Sequence, residues 1–105
     1  MAIKQIEPLE LESKIKENKS TILIDCREQT EWDESHVDGF TLIPLSSFEQ
    51  SLEILKSKNE DIHIMCRSGK RSMNACMFLE ENGYENLYNV SGGILAWKEA
   101  GLKTT

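Results

Sequence analysis

Two short apolar runs limit the folds open to this chain. Residues 21–25 and Ile62–Met65 are almost continuously apolar and rich in β-branched side chains, which is typical of strands covered on both faces. Such strands belong to parallel sheets in which strands and helices alternate along the chain. We therefore expect an α/β fold with a mostly parallel central sheet and helices on both faces.

The remainder of the chain continues this alternation. The predicted strands are residues 3–6, 21–25, 41–43, 62–65 and 87–90. The predicted helices are residues 8–18, 29–35, 46–57, 73–81 and 94–99. In the third helix we expect Leu52, Ile54 and Leu55 to face the core. At 105 residues the chain is expected to be one domain, residues 1–105.

A cationic loop follows the second apolar run. It consists of Cys66, Arg67, Ser68, Gly69, Lys70, Arg71 and Ser72, which we call the Cys66 loop. The helix that follows it presents unpaired N–H groups and a partial positive charge, and both favour an anion. Gly69 permits a backbone that turns successive N–H groups inward. We expect these features to lower the pKa of Cys66 and to make it a thiolate nucleophile beside a site for an anionic substrate.

Each of these residues also has an ordinary interpretation. A lone cysteine is commonly a small buried apolar residue, but the glycine and the three cations at a strand-to-helix junction favour the nucleophile. Arg67 and Lys70 could each be solvated charges. Arg71 lies at the expected start of the helix, so we expect its guanidinium to point toward the mouth of the loop.

The Cys66 loop resembles the active-site loop of single-domain rhodaneses, the thiosulfate sulfurtransferase family. Two further segments resemble that family's signatures, and all three occur in the family's order. The first contains Asp25-Cys26-Arg27-Glu28, Glu31-Trp32 and His36-Val37-Asp38-Gly39, and the second is Asn89-Val90-Ser91-Gly92-Gly93 continuing to Gly101. The resemblance implies a rhodanese-like domain with Cys66 as the catalytic residue, residues 67–72 binding substrate, and no metal or cofactor.

The spacing of the loop bears on its chemistry. Thiol phosphatases and arsenate reductases place five residues between cysteine and arginine, whereas four separate Cys66 from Arg71, and Ser72 occupies the position of the phosphatase arginine. A tighter ring suits one added sulfur atom better than a phosphate. We expect transfer of a sulfane sulfur from thiosulfate or a related donor to cyanide or a thiol, through a Cys66 persulfide.

A non-enzymatic alternative stays open at this point. A sulfur carrier or docking module that receives a persulfide from one protein partner and passes it to another would use the same loop residues. The sequence does not separate this role from turnover with small molecules.

Cys26 and Cys76 complete the set of three cysteines. Their odd number and spacing predict neither a disulfide framework nor a zinc site. Cys26 follows the first apolar run and is either a resolving thiol for Cys66 or a small core residue. We favour the core interpretation for Cys26, and burial for Cys76.

Other polar residues near these motifs are expected to be structural. We expect His36 to satisfy a backbone partner rather than act as a base, and His63 to rest against a covering helix. Arg27 is expected to pair with Glu28 or Glu31.

Charge and hydropathy bound the partners. A net charge of −6 argues against nucleic acid or an anionic membrane as a partner, so the cationic loop is a local exception suited to small anions. The sequence contains neither an apolar run of the roughly twenty residues that a membrane span requires nor the apolar stretch of a signal peptide near residue 1. We therefore expect a cytoplasmic location.

Overall fold

The fold is built on one sheet of five strands. The computed structural model describes residues 3–17 and 21–105. The strands are β1 (Ile3–Ile6), β2 (Ile22–Asp25), β3 (Thr41–Leu42), β4 (Ile62–Met65) and β5 (Leu87–Val90). The helices are α1 (Pro8–Lys16), α2 (Gln29–Glu34), α3 (Ser51–Ile54), α4 (Lys70–Glu81) and α5 (Gly93–Glu99), with a 3₁₀ helix (Leu45–Gln50) directly before α3. The predicted end of the first helix at residue 18 lies outside the described residues.

All strand pairs are parallel. The strand order is β1-β5-β4-β2-β3, with β4 at the centre. All four residues of β4 are fully buried, as expected for a strand covered on both faces. The predicted α/β class with a parallel sheet is confirmed.

Each face of the sheet has its own apolar core. Ile24, Ile62 and Ile64 pack on one face together with Leu79 of α4. Met65 packs on the other face in a cluster that contains Val90 and, from α5, Trp97. Because side chains alternate along a strand, Cys26 and Cys66 fall on the face of Ile24 and Ile64.

The segment between β3 and β4 differs from its prediction. In place of one helix over residues 46–57, a 3₁₀ helix precedes α3, and it is itself kinked at Ser47, whose φ of −136° is not helical. The helix ends at Ile54, and Leu55 leaves it with φ −91° and ψ 87°. Leu55 is therefore buried, whereas Leu52 and Ile54 are 37% and 50% exposed, so the core prediction was wrong for these two residues.

Helix α4 begins earlier than predicted. Gly69 takes a left-handed conformation with φ +101° and lies directly before Lys70, the first helical residue. Lys70, Arg71 and Ser72 therefore belong to the first turn of α4, so the helix N-terminus lies within the Cys66 loop. In the described part of the chain, no helix is long and apolar enough to cross a membrane.

Candidate active site

Cys66 lies at the carboxyl edge of the sheet. It directly follows β4, the central strand, and α4 begins four residues later at Lys70. The neighbouring strands β2 and β5 end beside it. In parallel α/β sheets this edge is where ligand sites form.

The sulfur of Cys66 accepts hydrogen bonds from its own loop. The Gly69 N–H donates to Cys66 Sγ over 3.0 Å, and the Ser72 N–H donates to it as well. Ser72 Oγ lies 3.3 Å from the same sulfur. The inward-facing N–H groups expected of this loop are therefore present at two positions.

These donors set the charge state of Cys66. The strongest influence is a hydrogen bond from the Cys26 thiol, and it lowers the pKa of Cys66; burial opposes it, and the Ser72 hydroxyl and the N–H groups of Ser72 and Gly69 lower the pKa further. The expected direction of the shift therefore agrees with the structure. Its main cause differs from the expectation, because a neighbouring thiol contributes more than the cations of the loop.

The Cys66 side chain lies below the surface. The residue is only 1% exposed, so a substrate anion would have to reach a sulfur that is almost fully covered. Arg67, Ser68 and Lys70 are exposed. The side chains of these three residues form no hydrogen bond or ion pair within the described part of the chain. Arg67 and Lys70 are therefore available to attract an anion to the mouth of the Cys66 loop.

Arg71 is engaged by a carboxylate that the sequence analysis did not assign to the site. Its Nη1 and Nη2 donate to the two carboxylate oxygens of Glu31 over 2.7 and 2.8 Å. This pairing lowers the pKa of Glu31 to about 2. Glu31 also accepts a hydrogen bond from the Glu28 N–H at the start of α2. The guanidinium therefore has a partner that partly neutralises it, and its contact with a substrate remains a prediction.

Ser72 connects Cys66 to a residue that sequence reasoning missed. The buried Ser72 hydroxyl donates to Asn89 Oδ1 in a very short contact, so its single proton is shared between Asn89 and Cys66 Sγ. The Asn89 amide donates to Gly69 O and Gln5 Oε1, both over 3.1 Å. A polar side chain in the otherwise apolar β5 is the signal that could have identified Asn89.

The start of α5 holds the Cys66 loop from behind. The Ile94 N–H donates to Cys66 O over 2.8 Å and the Leu95 N–H to Arg67 O over 3.2 Å. Gly93 has φ +59°, and a Cβ there would collide with the carbonyls of Cys66 and Arg67. Gly93 therefore does more than permit a turn, since it lets α5 approach the loop backbone.

Arg27 has a different partner from the one predicted. Its guanidinium forms a buried ion pair with Asp25, with Nη2 2.9 Å from Oδ2. It also donates to the carbonyl oxygens of Glu31 and Ser35. The expected pairing with the carboxylate of Glu28 or Glu31 was wrong, because the buried Asp25 carboxylate lies two residues away at the end of β2. Arg27 fixes the turn that positions Glu31.

The two histidines make the contacts expected of structural residues. His36 stacks on Trp32 at 3.9 Å between ring centroids, and its Nδ1 lies 3.0 Å from the Trp32 carbonyl oxygen. His63 is fully buried, with its Nε2 2.9 Å from Lys14 Nζ of α1. Both predictions of contact are confirmed.

The three cysteines are free and buried. Burial of Cys76 is confirmed, and it raises the pKa of that thiol to about 12. Burial of Cys26 is confirmed too, but this residue also touches the site through its hydrogen bond to Cys66. Among residues 3–17 and 21–105, no three His, Cys, Asp or Glu side chains are grouped so that they could hold a metal ion.

Sequence and structure comparisons place this chain among known proteins. A family model described as "Rhodanese-like domain" matches residues 7–100. "Putative sulfurtransferase YtwF" of Bacillus subtilis (strain 168) is 38% identical over 98 residues, covering 93% of each protein. "Putative sulfur carrier protein YrkF" of the same organism is 30% identical over 96 residues, which cover 91% of this chain and 51% of that protein. The crystal structure of a rhodanese-like domain protein from Staphylococcus aureus matches with a TM-score of 0.84 and 34% identity, over 95% of this chain and 96% of that one.

Proposed function

The chain belongs to the rhodanese-like family, and we propose that it moves a sulfane sulfur from thiosulfate or a related donor to cyanide or a thiol through a Cys66 persulfide. A relative named as a sulfurtransferase supports transferase chemistry of this family. The observation on which the proposal rests is the Gly69 N–H, which points at Cys66 Sγ over 3.0 Å beside the start of α4. A sulfur with such donors is stabilised as an anion.

The first half-reaction loads the sulfur. The Cys66 thiolate attacks the outer sulfur of thiosulfate, a bond forms between the two sulfurs, and the bond within thiosulfate breaks. Sulfite leaves with the electron pair of that bond. The exposed Arg67 and Lys70 attract the dianion to the entrance, and the partly paired Arg71 stabilises charge on the departing sulfite.

The second half-reaction unloads it. The anionic outer sulfur of the persulfide rests against the N–H groups of Gly69 and Ser72, and Ser68 lines the exposed side of the loop. A thiol or cyanide attacks that outer sulfur and takes it away. The electron pair of the broken sulfur–sulfur bond returns to Cys66, which regenerates the thiolate. No cofactor takes part in either step.

Mass spectrometry tests the proposal directly. After incubation with thiosulfate and no acceptor, we expect one extra sulfur on the peptide that contains Cys66 at early times. The Cys66→Ser variant should gain no sulfur and show no turnover, because a serine hydroxyl is not ionised at neutral pH. Cys76→Ala, which removes another buried thiol, serves as the control and should still gain sulfur. Sulfur transfer by Cys66→Ser would show that the nucleophile is misassigned.

A sulfur carrier that exchanges persulfide with protein partners is the second candidate. It is favoured by the pairing of Arg71 with Glu31, because the partly neutralised guanidinium is less available to a small free dianion. A relative named as a sulfur carrier also supports it. Comparing kcat/KM for thiosulfate with the rate of transfer from a persulfidated protein separates the two roles, and faster transfer from the protein would favour the carrier.

Phosphatase chemistry is the least favoured reaction. Ser72 stands where an arginine would complete a phosphate cradle, and its hydroxyl is shared by Cys66 and Asn89. We expect no hydrolysis of p-nitrophenyl phosphate. Hydrolysis that disappears in Cys66→Ser would contradict the assignment to sulfur transfer.

A further inference from the structure

A second cysteine lies directly beside Cys66. Strands β2 and β4 pair in parallel with Asp25 opposite Met65, and the Cys26 N–H donates to Met65 O over 2.9 Å. The pairing therefore continues by one position, which places Cys26 opposite Cys66. Both side chains join the cluster of Ile24 and Ile64, so they lie on the same face of the sheet.

This placement suits a disulfide. Neighbouring strands lie about 5 Å apart, which is within the Cα–Cα range of roughly 4.4–6.8 Å that disulfides span. The Cys26 thiol already donates a hydrogen bond to Cys66. Cys26 and Cys66 are 0% and 1% exposed, so water does not compete with either sulfur for this hydrogen bond. The spacing of paired strands therefore fits a disulfide bond between these two residues.

We propose that Cys26 is the resolving thiol of this site, which closes a disulfide with Cys66 and releases the transferred sulfur as hydrosulfide. This inference rests on the proposed persulfide chemistry. The inference adds a second activity to that chemistry, in which the thiols of Cys26 and Cys66 reduce a sulfane sulfur to hydrosulfide.

The step balances within the protein. The Cys26 sulfur attacks Cys66 Sγ, the bond between Cys66 Sγ and the outer sulfur breaks, and that electron pair leaves with the outer sulfur. The proton of the Cys26 thiol moves to the departing sulfur, which leaves as hydrosulfide. The Cys26 sulfur is oxidised and the outer sulfur is reduced, while Cys66 Sγ, already bonded to a sulfur, keeps its oxidation state. Two equivalents of a small thiol then reduce the disulfide and restore both cysteines by exchange.

The electrostatics of the pair favour this order of events. While Cys66 is a thiolate, its hydrogen bond with Cys26 raises the pKa of Cys26, and burial and the Cys66 charge act in the same direction. Cys26 is therefore protonated and unreactive in the resting protein. Once Cys66 bears a second sulfur, the negative charge moves outward to that sulfur, which reduces the charge that keeps Cys26 protonated. Loading of Cys66 thus activates its neighbour.

Burial of Cys66 favours attack by a neighbouring thiol over attack by an acceptor from solution. An external acceptor must reach an outer sulfur attached to a side chain that is 1% exposed. Cys26 needs no access, because it is already in contact. Cys76 provides an internal contrast, since it is equally buried in the same cluster but lies on α4, and no hydrogen bond to Cys66 contributes to its pKa.

The test measures where the sulfur goes. Reduced wild-type protein, Cys26→Ser, Cys26→Val and Cys76→Ala are each incubated with thiosulfate without an acceptor, and released sulfide, intact mass and non-reducing peptide maps are recorded over time. For wild type and Cys76→Ala we expect one hydrosulfide per protein, loss of the added sulfur and a disulfide between residues 26 and 66. Both Cys26 variants should keep the added sulfur and release at least ten-fold less sulfide. The serine variant keeps the test valid if the valine variant does not fold.

The outcomes separate this inference from the function on which it rests. If wild type and the Cys26 variants all keep the added sulfur equally long, and no disulfide joins residues 26 and 66, Cys26 is only a core residue while the persulfide proposal stands. If no protein gains sulfur and none releases sulfide, the persulfide proposal fails and this inference fails with it.

Discussion

His63 and Cys66 are buried ionisable residues three positions apart, one within β4 and one directly after it. Their surroundings lower the pKa of both side chains. For a histidine this removes the charge at neutral pH, whereas for a cysteine it creates one. The same strand therefore holds a neutral base near its start and an anion at its end.

The difference arises from what surrounds each group. Burial is the main reason why the pKa of His63 falls to about 4. The His63 ring stacks on Tyr88 at 4.7 Å, its Nδ1 lies 3.1 Å from Ile22 O, and its Nε2 faces Lys14 Nζ, which is paired with Asp61. Around Cys66, in contrast, donors from Cys26, Ser72 and Gly69 outweigh burial. Burial alone suppresses a charge, and burial with directed donors retains one.

The largest effect is expected from a change that disturbs the Cys66 loop and leaves the surroundings of His63 intact. Gly93→Ala should abolish sulfur loading of Cys66 or reduce it at least ten-fold, because the new methyl collides with the carbonyls of Cys66 and Arg67. We also expect it to lower the free energy of unfolding by roughly 3 kcal/mol or more. Mass spectrometry and urea unfolding measure the two effects.

Gly101→Ala is the matched control. Gly101 also has a positive φ, of +79°, but a Cβ there would meet nothing within 4 Å. We expect only the left-handed strain of about 1 kcal/mol and normal loading. Equal behaviour of the two variants would show that the contact between α5 and the loop is not what positions Cys66.

The next effect concerns charge at the rim of the site. Arg71→Ala should reduce kcat/KM for thiosulfate by about 10- to 100-fold, since in the proposed mechanism the guanidinium stabilises the departing sulfite. With an uncharged organic polysulfide as donor, the same variant should show a smaller fall in kcat/KM. Steady-state kinetics with both donors measure the difference.

Glu31→Gln is the companion variant. It removes the carboxylate that holds Arg71 through two hydrogen bonds but keeps the guanidinium, so thiosulfate turnover should rise.

Equal losses with both donors in Arg71→Ala would indicate that this residue only shapes the loop, which would remove it from the anion site.

The last effect is absent at neutral pH, appears only in acid, and tests His63, the neutral residue of the comparison. The folded protein binds a proton at His63 only near pH 4, whereas the unfolded chain binds one near the ordinary value of 6.5. Stability is therefore unaffected by His63 above pH 6.5 and falls as the pH drops from 6.5 toward 4, by up to about 3 kcal/mol. Urea unfolding at several pH values should show a shallower fall for His63→Gln than for wild type. Parallel curves would contradict the assignment of a neutral buried histidine.

The sheet and the position of Cys66 between a strand and a helix were predictable because their signals are local. Predominantly apolar runs such as Ile62–Met65 indicate burial on both faces, and a cysteine followed by Gly69 and cations indicates a loop before a helix. The exposed faces of Leu52 and Ile54 were not predictable in this way. Both residues lie in the short helix α3, which follows a kinked 3₁₀ helix, and no glycine or proline among residues 45–57 signals this break.

The partners within the site were harder to predict because they depend on tertiary approach. Arg71 is 40 residues from Glu31 along the chain, and several other acidic residues were equally eligible by sequence. The contact between Cys26 and Cys66 follows from the pairing of β2 with β4, and the order of strands in the sheet is not encoded in any single segment. Local patterns thus placed Cys66 in a loop before a helix, and the fold supplied its neighbours.

The charge of Cys66 in the resting protein is the most direct test. The far-ultraviolet absorbance of a thiolate, recorded against pH for wild type and for Cys66→Ser, reports its ionisation without requiring access to the buried sulfur. The donors around Cys66 Sγ predict a difference curve with its midpoint far below the ordinary cysteine pKa of roughly 8.5, and a higher midpoint in Cys26→Val, which removes one donor. A midpoint at or above that ordinary value would show that burial outweighs the donors, and would contradict a thiolate nucleophile at this position.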